Sequence, residues 1–158
     1  MLLISLKKNE LLYDIEYMSY KVAKVHFLDG QPQSVADVAV ARDDHDFIDR
    51  LLHSAFANVK EKIQWCVDRR PHRVATDMLR PGRHDYDLVL DVNDKRREMA
   101  DSICSAVHDY VVHHVLHRFL AMTAPEFSDM FADMAENDIE RVYNLCRTNT
   151  KYRFYSWI

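Results

Sequence analysis

The sequence has 158 residues, of which only two, Gly30 and Gly82, are glycine. Charged residues make up 29% and the formal net charge is −4, which gives no overall attraction to nucleic acid or to an anionic membrane. A P-loop, a dinucleotide-binding fingerprint and a G-x-S-x-G nucleophile elbow all need closely spaced glycines and are excluded, and no apolar run approaches the roughly 18 residues of a membrane span.

The first half of the chain is predicted to contain a short strand and two helices. Residues 2–6 are mostly apolar and predict the strand. Apolar residues at steps of four and three then predict a first helix, which ends near Gly30. The second helix is predicted from about residue 44 to residue 69, before Pro71. Between the two helices, residues 31–42 form a connector whose structure and role the pattern leaves open.

The second half is predicted to contain one strand and two helices. Residues 71–84 contain two prolines and a glycine and predict a loop. Residues 85–92 alternate apolar with mostly acidic side chains, which is typical of a half-buried strand. A third helix with one apolar face is predicted over about 95–121. Residues 123–126 (Thr-Ala-Pro-Glu) match a capping box at the start of a fourth helix, predicted over about 124–147.

Together these elements predict one mainly α domain over residues 1–158. We expect a four-helix bundle with two short strands, at about 2–6 and 85–92. Because two strands do not form a stable sheet alone, we expect them to pair and to pack against the helices. Residues 148–158 then form a separate basic and aromatic C-terminal tail.

The cysteines and the N-terminus indicate the cellular compartment in which the protein is synthesised. Cys66, Cys104 and Cys146 are odd in number and far apart, which predicts reduced, buried thiols rather than a disulfide framework or a CxxC metal site. The apolar start is too short for a signal peptide and no basic residue precedes it. We therefore expect the protein to be cytoplasmic when it is synthesised.

The densest group of candidate metal ligands is His113, His114 and His117 in the third predicted helix. Asp109, His113 and His117 are spaced by four residues and share one helix face, from which they would reach a metal ion. However, the sequence lacks both the Glu that follows the first His in zinc hydrolases and the paired Glu-x-x-His motifs of dimetal bundles. Interface or half-buried positions are the preferred interpretation, whether the cluster binds metal stays open, and no cofactor is predicted.

An acidic row on the fourth predicted helix offers partners for these histidines. It consists of Asp129, Asp133, Glu136 and Glu140. A metal-dependent hydrolase using His113 and His117 with these acids is one alternative function, and a solvent-exposed face is the simpler interpretation. His-Asp dipeptides at 45–46, 84–85 and 108–109 match part of an HD-type phosphohydrolase site, but such short pairs arise easily among nine histidines.

Basic residues cluster on both sides of the predicted loop and strand. They are Arg69, Arg70, Arg73, Arg80, Arg83, Lys95, Arg96 and Arg97. A nucleic-acid-contacting adaptor that uses this arginine patch is a second alternative function. Six acids lie within residues 68–97 and weaken the positive field, so nucleic acid is not the expected partner.

The C-terminal tail interleaves basic with aromatic side chains. Such a pattern binds single-stranded nucleic acid in some proteins, but aromatic residues and arginine are also what protein interfaces enrich. We favour docking to a protein partner, because four aromatic side chains near a terminus are costly to leave in water. The predicted partner-binding residues are Tyr152, Phe154, Tyr155 and Trp157 as anchors and Arg153 at the rim.

The stretch over residues 11–24 (Leu-Leu-Tyr-Asp-Ile-Glu-Tyr-Met-Ser-Tyr-Lys-Val-Ala-Lys) resembles small helical proteins encoded in the virion modules of tailed phages and prophages. The order of predicted strands and helices is similar as well. The resemblance implies a structural or assembly role in the virion, at the head–tail or tail region, and brings no catalytic residues. We therefore expect a non-enzymatic subunit that contacts other protein subunits as a homo- or hetero-oligomer, without a membrane partner.

Overall fold

The computed structural model describes residues 1–26, 35, 37–67, 85–92 and 97–147, and it confirms a mainly α fold with two strands. Four long helices account for most of the described chain, and a short 3-10 turn precedes the second of them. In chain order the elements are β1 (Leu2–Lys7), α1 (Lys8–His26), the 3-10 turn (Arg42–Asp44), α2 (His45–Lys62), β2 (Asp85–Leu90), α3 (Ala100–Thr123) and α4 (Pro125–Cys146).

The two strands form one antiparallel sheet, with Leu2 opposite Leu90 and Lys7 opposite Asp85. Alternation in β2 decides which side is buried: Tyr86, Leu88 and Leu90 are in the core, whereas Asp87 is exposed. The strand positions and the predicted packing of the sheet against the helices are thereby confirmed.

The third helix is the centre of the bundle. It packs most extensively against α4 and also contacts α1, α2 and β1. Val111, Val112 and His113 are consecutive, and all three are buried. Because consecutive helical residues point about 100° apart, this run covers more than one side of the helix. The predicted face, marked by Ile103, Val107 and Tyr110, is buried, and the buried surface of α3 extends beyond it to other sides of the helix.

The second helix ends earlier than predicted, at Lys62 rather than near residue 69. The next residues turn, and the backbone then joins the sheet: Val67 forms an antiparallel bridge with Leu90, and the Asp91 N–H donates to the Cys66 carbonyl at 2.7 Å. Pairing with β2 satisfies backbone groups that a longer helix would have used internally, so tertiary structure overrides the local helical pattern.

The junction between α3 and α4 is a single residue, Ala124. Thr123 is the last residue of α3, and its hydroxyl donates to the Phe119 carbonyl of its own helix at 3.4 Å. It therefore does not cap α4, whose N-cap residue is Ala124 without a side-chain cap. The predicted capping box is wrong, while Pro125 in the first turn and the bounds of the fourth helix are confirmed.

The described part of the connector lies against α1. Ser19 is buried, and its hydroxyl donates to the Glu16 carbonyl at 2.9 Å and accepts from the Val40 N–H at 3.0 Å. The Val38 side chain is buried in the same core. The connector thus joins α1 to α2 through direct packing on the bundle.

Several sequence predictions concern residues outside the described ranges. These are the helix stop at Gly30, the loop over 71–84, all of the arginine patch except Arg97, and the tail over 148–158 with its five predicted partner-binding residues.

Candidate functional site

Two histidines of α3, His113 and His117, contact α4 along the seam between the two helices. His113 Nδ1 is 2.6 Å from Asp138 Oδ2. The two side chains are only 11% and 17% exposed, and the imidazole also lies against the Phe131 ring at 5.9 Å between centroids. Because water has little access, this pair holds α4 at one register against α3.

One turn further along α3, His117 forms a second contact with α4. Its Nδ1 is 2.9 Å from the Ser128 hydroxyl and 3.1 Å from the Ser128 carbonyl, and the same hydroxyl lies 3.1 Å from the His117 carbonyl. A proton on Nδ1 satisfies all three contacts, since the imidazole then donates to Ser128 and the hydroxyl donates to the His117 carbonyl. The hydroxyl proton is thus directed at the backbone, which fits a structural clip rather than an activated nucleophile.

The third member of the predicted metal-binding face, Asp109, has a different partner. Its carboxylate is 3.6 Å from the Arg141 guanidinium at the surface. Asp109, His113 and His117 share one helix face, yet each is engaged with a separate residue of α4. Within the described ranges, no group of three or more His, Cys, Asp or Glu side chains is placed to hold a metal ion.

The acids that contact these histidines were not the ones identified in the sequence. Asp138 is the partner of His113, whereas the predicted acidic row points to solvent, and Glu140 of that row pairs with Lys62 of α2. The solvent-exposed interpretation of the row is therefore confirmed for Asp129, Asp133, Glu136 and Glu140. Asp138 is three residues from Ala135 and four from Val142, both buried, and this apolar spacing is the signal that places it at the seam.

The His-Asp dipeptides do not converge within the described residues. His45 Nε2 is 2.7 Å from Glu16 Oε1, and His108 Nε2 is 2.8 Å from Asp14 Oδ2. Two acids of α1 thus pair with one histidine of α2 and one histidine of α3, and these two contacts join the three helices. The dipeptide at 84–85 has its histidine outside the described residues.

The electrostatic setting of His114 disfavours a positive charge on its imidazole. Burial lowers its pKa, and the neighbouring His117 and Arg118 lower it further. Its ring lies 5.5 Å from that of Tyr110, between centroids. A neutral imidazole tilted against a tyrosine ring contributes packing, so the three histidines have three different structural roles.

An exposed aromatic surface that was not predicted from the sequence runs along the outer side of α1. Tyr13, Tyr17 and Tyr20 are spaced by four and three residues and are 62%, 50% and 42% exposed. The Tyr13 and Tyr17 rings stack at 6.2 Å with an interplanar angle of 8°. Lys21 Nζ lies 5.2 Å from the Tyr17 ring centroid and Lys24 Nζ lies 5.0 Å from that of Tyr20.

We call Tyr13, Tyr17 and Tyr20 the tyrosine stripe. This helical spacing is visible in the sequence. Tyr13 follows the buried Leu11 by two residues, and Tyr17 follows the buried Ile15 by two. Exposed tyrosines offer a large, stiff contact area with a hydrogen-bonding tip, a property that protein interfaces use.

Comparison of the chain with protein-family models, curated proteins and solved structures gave no match. Across the part of the chain that the structure describes, no helix combines the length and the apolar character needed to cross a membrane.

Proposed function

We propose that the protein is a non-enzymatic assembly subunit that acts by contacts with other protein subunits. The tyrosine stripe carries this proposal, because three tyrosines at helical spacing remain exposed on α1. The Tyr13 and Tyr17 rings stack on each other, and a lysine lies over the Tyr17 ring and another over the Tyr20 ring. Pre-ordered aromatic side chains lose little entropy on binding, so such a stripe is suited to anchoring a partner.

The surface chemistry of the chain suits a second copy as that partner. Lys21 and Lys24 place positive charge along the stripe, while α4 exposes the acidic row described above. Met130 and Met134, 48% and 36% exposed, lie beside that row and offer thioethers to aromatic rings. A contact between two different surfaces of identical chains is heterologous and builds rings or filaments.

A phage-type virion, at the head–tail or tail region, is the setting we propose for this assembly. The proposal is supported by the resemblance of residues 11–24, which include the whole tyrosine stripe, to virion-module proteins. A ring-forming or filament-forming contact is the kind of interface that connectors and tails need.

Replacing Tyr13, Tyr17 and Tyr20 together by alanine should weaken self-association by at least about tenfold, because interface tyrosines contribute strongly to affinity. Analytical ultracentrifugation over a concentration series measures this change. The association of the original chain should also weaken with salt, because the contact includes lysines and carboxylates.

The matched control is Met122→Ala, which removes an equally exposed apolar side chain at the end of α3. It should leave both association and circular dichroism unchanged. A triple variant that associates as tightly as the original chain, or an original chain that stays monomeric, contradicts the proposed contact.

Deletion of residues 150–158 should leave the helical fold intact and weaken assembly with partner subunits. The predicted anchors Tyr152, Phe154, Tyr155 and Trp157 would be lost, with Arg153 at their rim. Circular dichroism checks the fold, and co-purification with the products of neighbouring genes checks assembly. If the truncated chain assembles as before, the tail is not a docking element.

A further inference from the structure

The segment that follows α2 lies alongside the last turns of α4. Lys62 forms a salt bridge with Glu140, and its ammonium also lies 5.4 Å from the Tyr143 ring centroid. The Trp65 and Tyr143 rings meet edge to face, with centroids 6.3 Å apart. These contacts align residues 62–66 with the part of α4 that contains residues 140, 143 and, one turn later, 146.

The next contact in this series joins two cysteines. Cys66 and Cys146 are 3% and 0% exposed, and the Cys146 thiol lies close enough to the Cys66 thiol to lower its pKa. Both are free thiols, and the Cys66 thiol also lies 3.2 Å from the Ile63 carbonyl. The flanking contacts hold the two segments side by side, and both thiols lie in the same core. Disulfide formation then needs a local displacement that brings the two sulfurs to a bond length of about 2.05 Å.

We propose that Cys66 and Cys146 form a thiol–disulfide site that closes on oxidation and covalently ties the end of α4 to the segment after α2. The site goes beyond the proposed assembly function and does not depend on it. Proximity in the fold carries the proposal, since the two cysteines are far apart in the sequence.

The reaction is exchange with a low-molecular-weight disulfide such as oxidised glutathione. The Cys66 thiolate attacks one sulfur of that disulfide, which forms a mixed disulfide and releases one small thiolate. The Cys146 thiolate then attacks the Cys66 sulfur, which forms the protein disulfide and releases the second small thiolate. The protein loses two electrons and two protons, and the small disulfide is reduced to two thiols that take up those protons.

The setting of each thiol favours Cys66 as the attacking group. The hydrogen bond from Cys146 lowers the pKa of Cys66 against the opposing effects of burial and of Asp91. Burial raises the pKa of the third cysteine, Cys104, and Asp101 raises it further. Thiolate character follows the lower pKa and therefore favours Cys66, whereas Cys104 is the less buried thiol. Because both thiols are buried, exchange requires a local opening that exposes them to the oxidant.

Incubation of the full chain with oxidised glutathione at about pH 8 should remove two of the three thiols. Intact mass should fall by two hydrogen atoms, and peptide mapping should place the bond between Cys66 and Cys146. The disulfide closes a long loop, so the melting temperature should rise by about 5–15 °C over the reduced protein. Dilute urea, below the unfolding transition, is included to permit this local opening.

The matched control is Cys104→Ser, which should show the same bond and the same rise in melting temperature. Cys66→Ser and Cys146→Ser should each lose both, and the remaining thiol should stop at a mixed disulfide with glutathione. The proposal is overturned if all three thiols stay free in the original chain, if the mapped bond contains Cys104, or if the bond forms only between separate chains.

Discussion

Replacing Leu116 by alanine should lower the free energy of unfolding by about 2–5 kcal/mol. Leu116 is fully buried in the central helix α3, which α1, α2, α4 and β1 all contact. Neighbouring elements hold α3 on several sides, so the cavity left by the deleted carbons cannot close by moving one helix. Urea denaturation followed by circular dichroism measures the loss.

The matched control for Leu116→Ala is Met122→Ala on the same helix. Met122 is 63% exposed, so its truncation should change the free energy of unfolding by no more than about 0.5 kcal/mol. Equal losses in the two variants would mean that α3 does not occupy the centre of the bundle.

Elements in which apolar residues recur at a regular spacing were predictable from the sequence. The alternation of apolar and acidic residues in β2 has the period of a half-buried strand, and Pro125 precedes a regular apolar stripe that continues to Cys146. In both cases the local pattern and the burial in the fold agree, because each element has one buried and one exposed side.

The central position of α3 was not predictable from such patterns. A helix with one apolar face shows which side packs on the core. The third helix has apolar side chains on several faces, so its pattern does not show which neighbours surround it. The end of α2 was missed for a related reason. The apolar spacing continues past Lys62, but the pairing of Val67 with Leu90 depends on a strand far along the chain.

The side-chain pairs at the candidate site depend on the register between helices, which single-helix patterns do not contain. The fourth helix offers several acids within one or two turns, and only the packing of α3 on α4 selects Asp138 for His113. The Cys66–Cys146 contact has the same origin, since it requires the ends of α2 and α4 to lie side by side. The tyrosine stripe, by contrast, lies within one helix and was visible in its spacing.

Truncating Asp138 to alanine should lower the free energy of unfolding by about 2–3 kcal/mol, because it leaves the imidazole of His113 without its partner at a nearly water-free position. Chemical denaturation measures the loss, and Asp138→Asn, which keeps an acceptor, should recover part of it. Asp133→Ala, at an exposed position of the same helix, is the control and should change stability by no more than about 0.5 kcal/mol.

The same variants separate a structural pair from a metal site at the α3–α4 seam. If His113 and Asp138 only join the two helices, the melting temperature of the original chain should be unchanged by a chelator such as EDTA. Truncating His113 to alanine as well should then cost much less in the Asp138→Ala background than in the original chain, because the two groups act as one unit. A chelator-sensitive melting temperature would instead support a metal site, and losses that simply add would mean that the two side chains do not act as a pair.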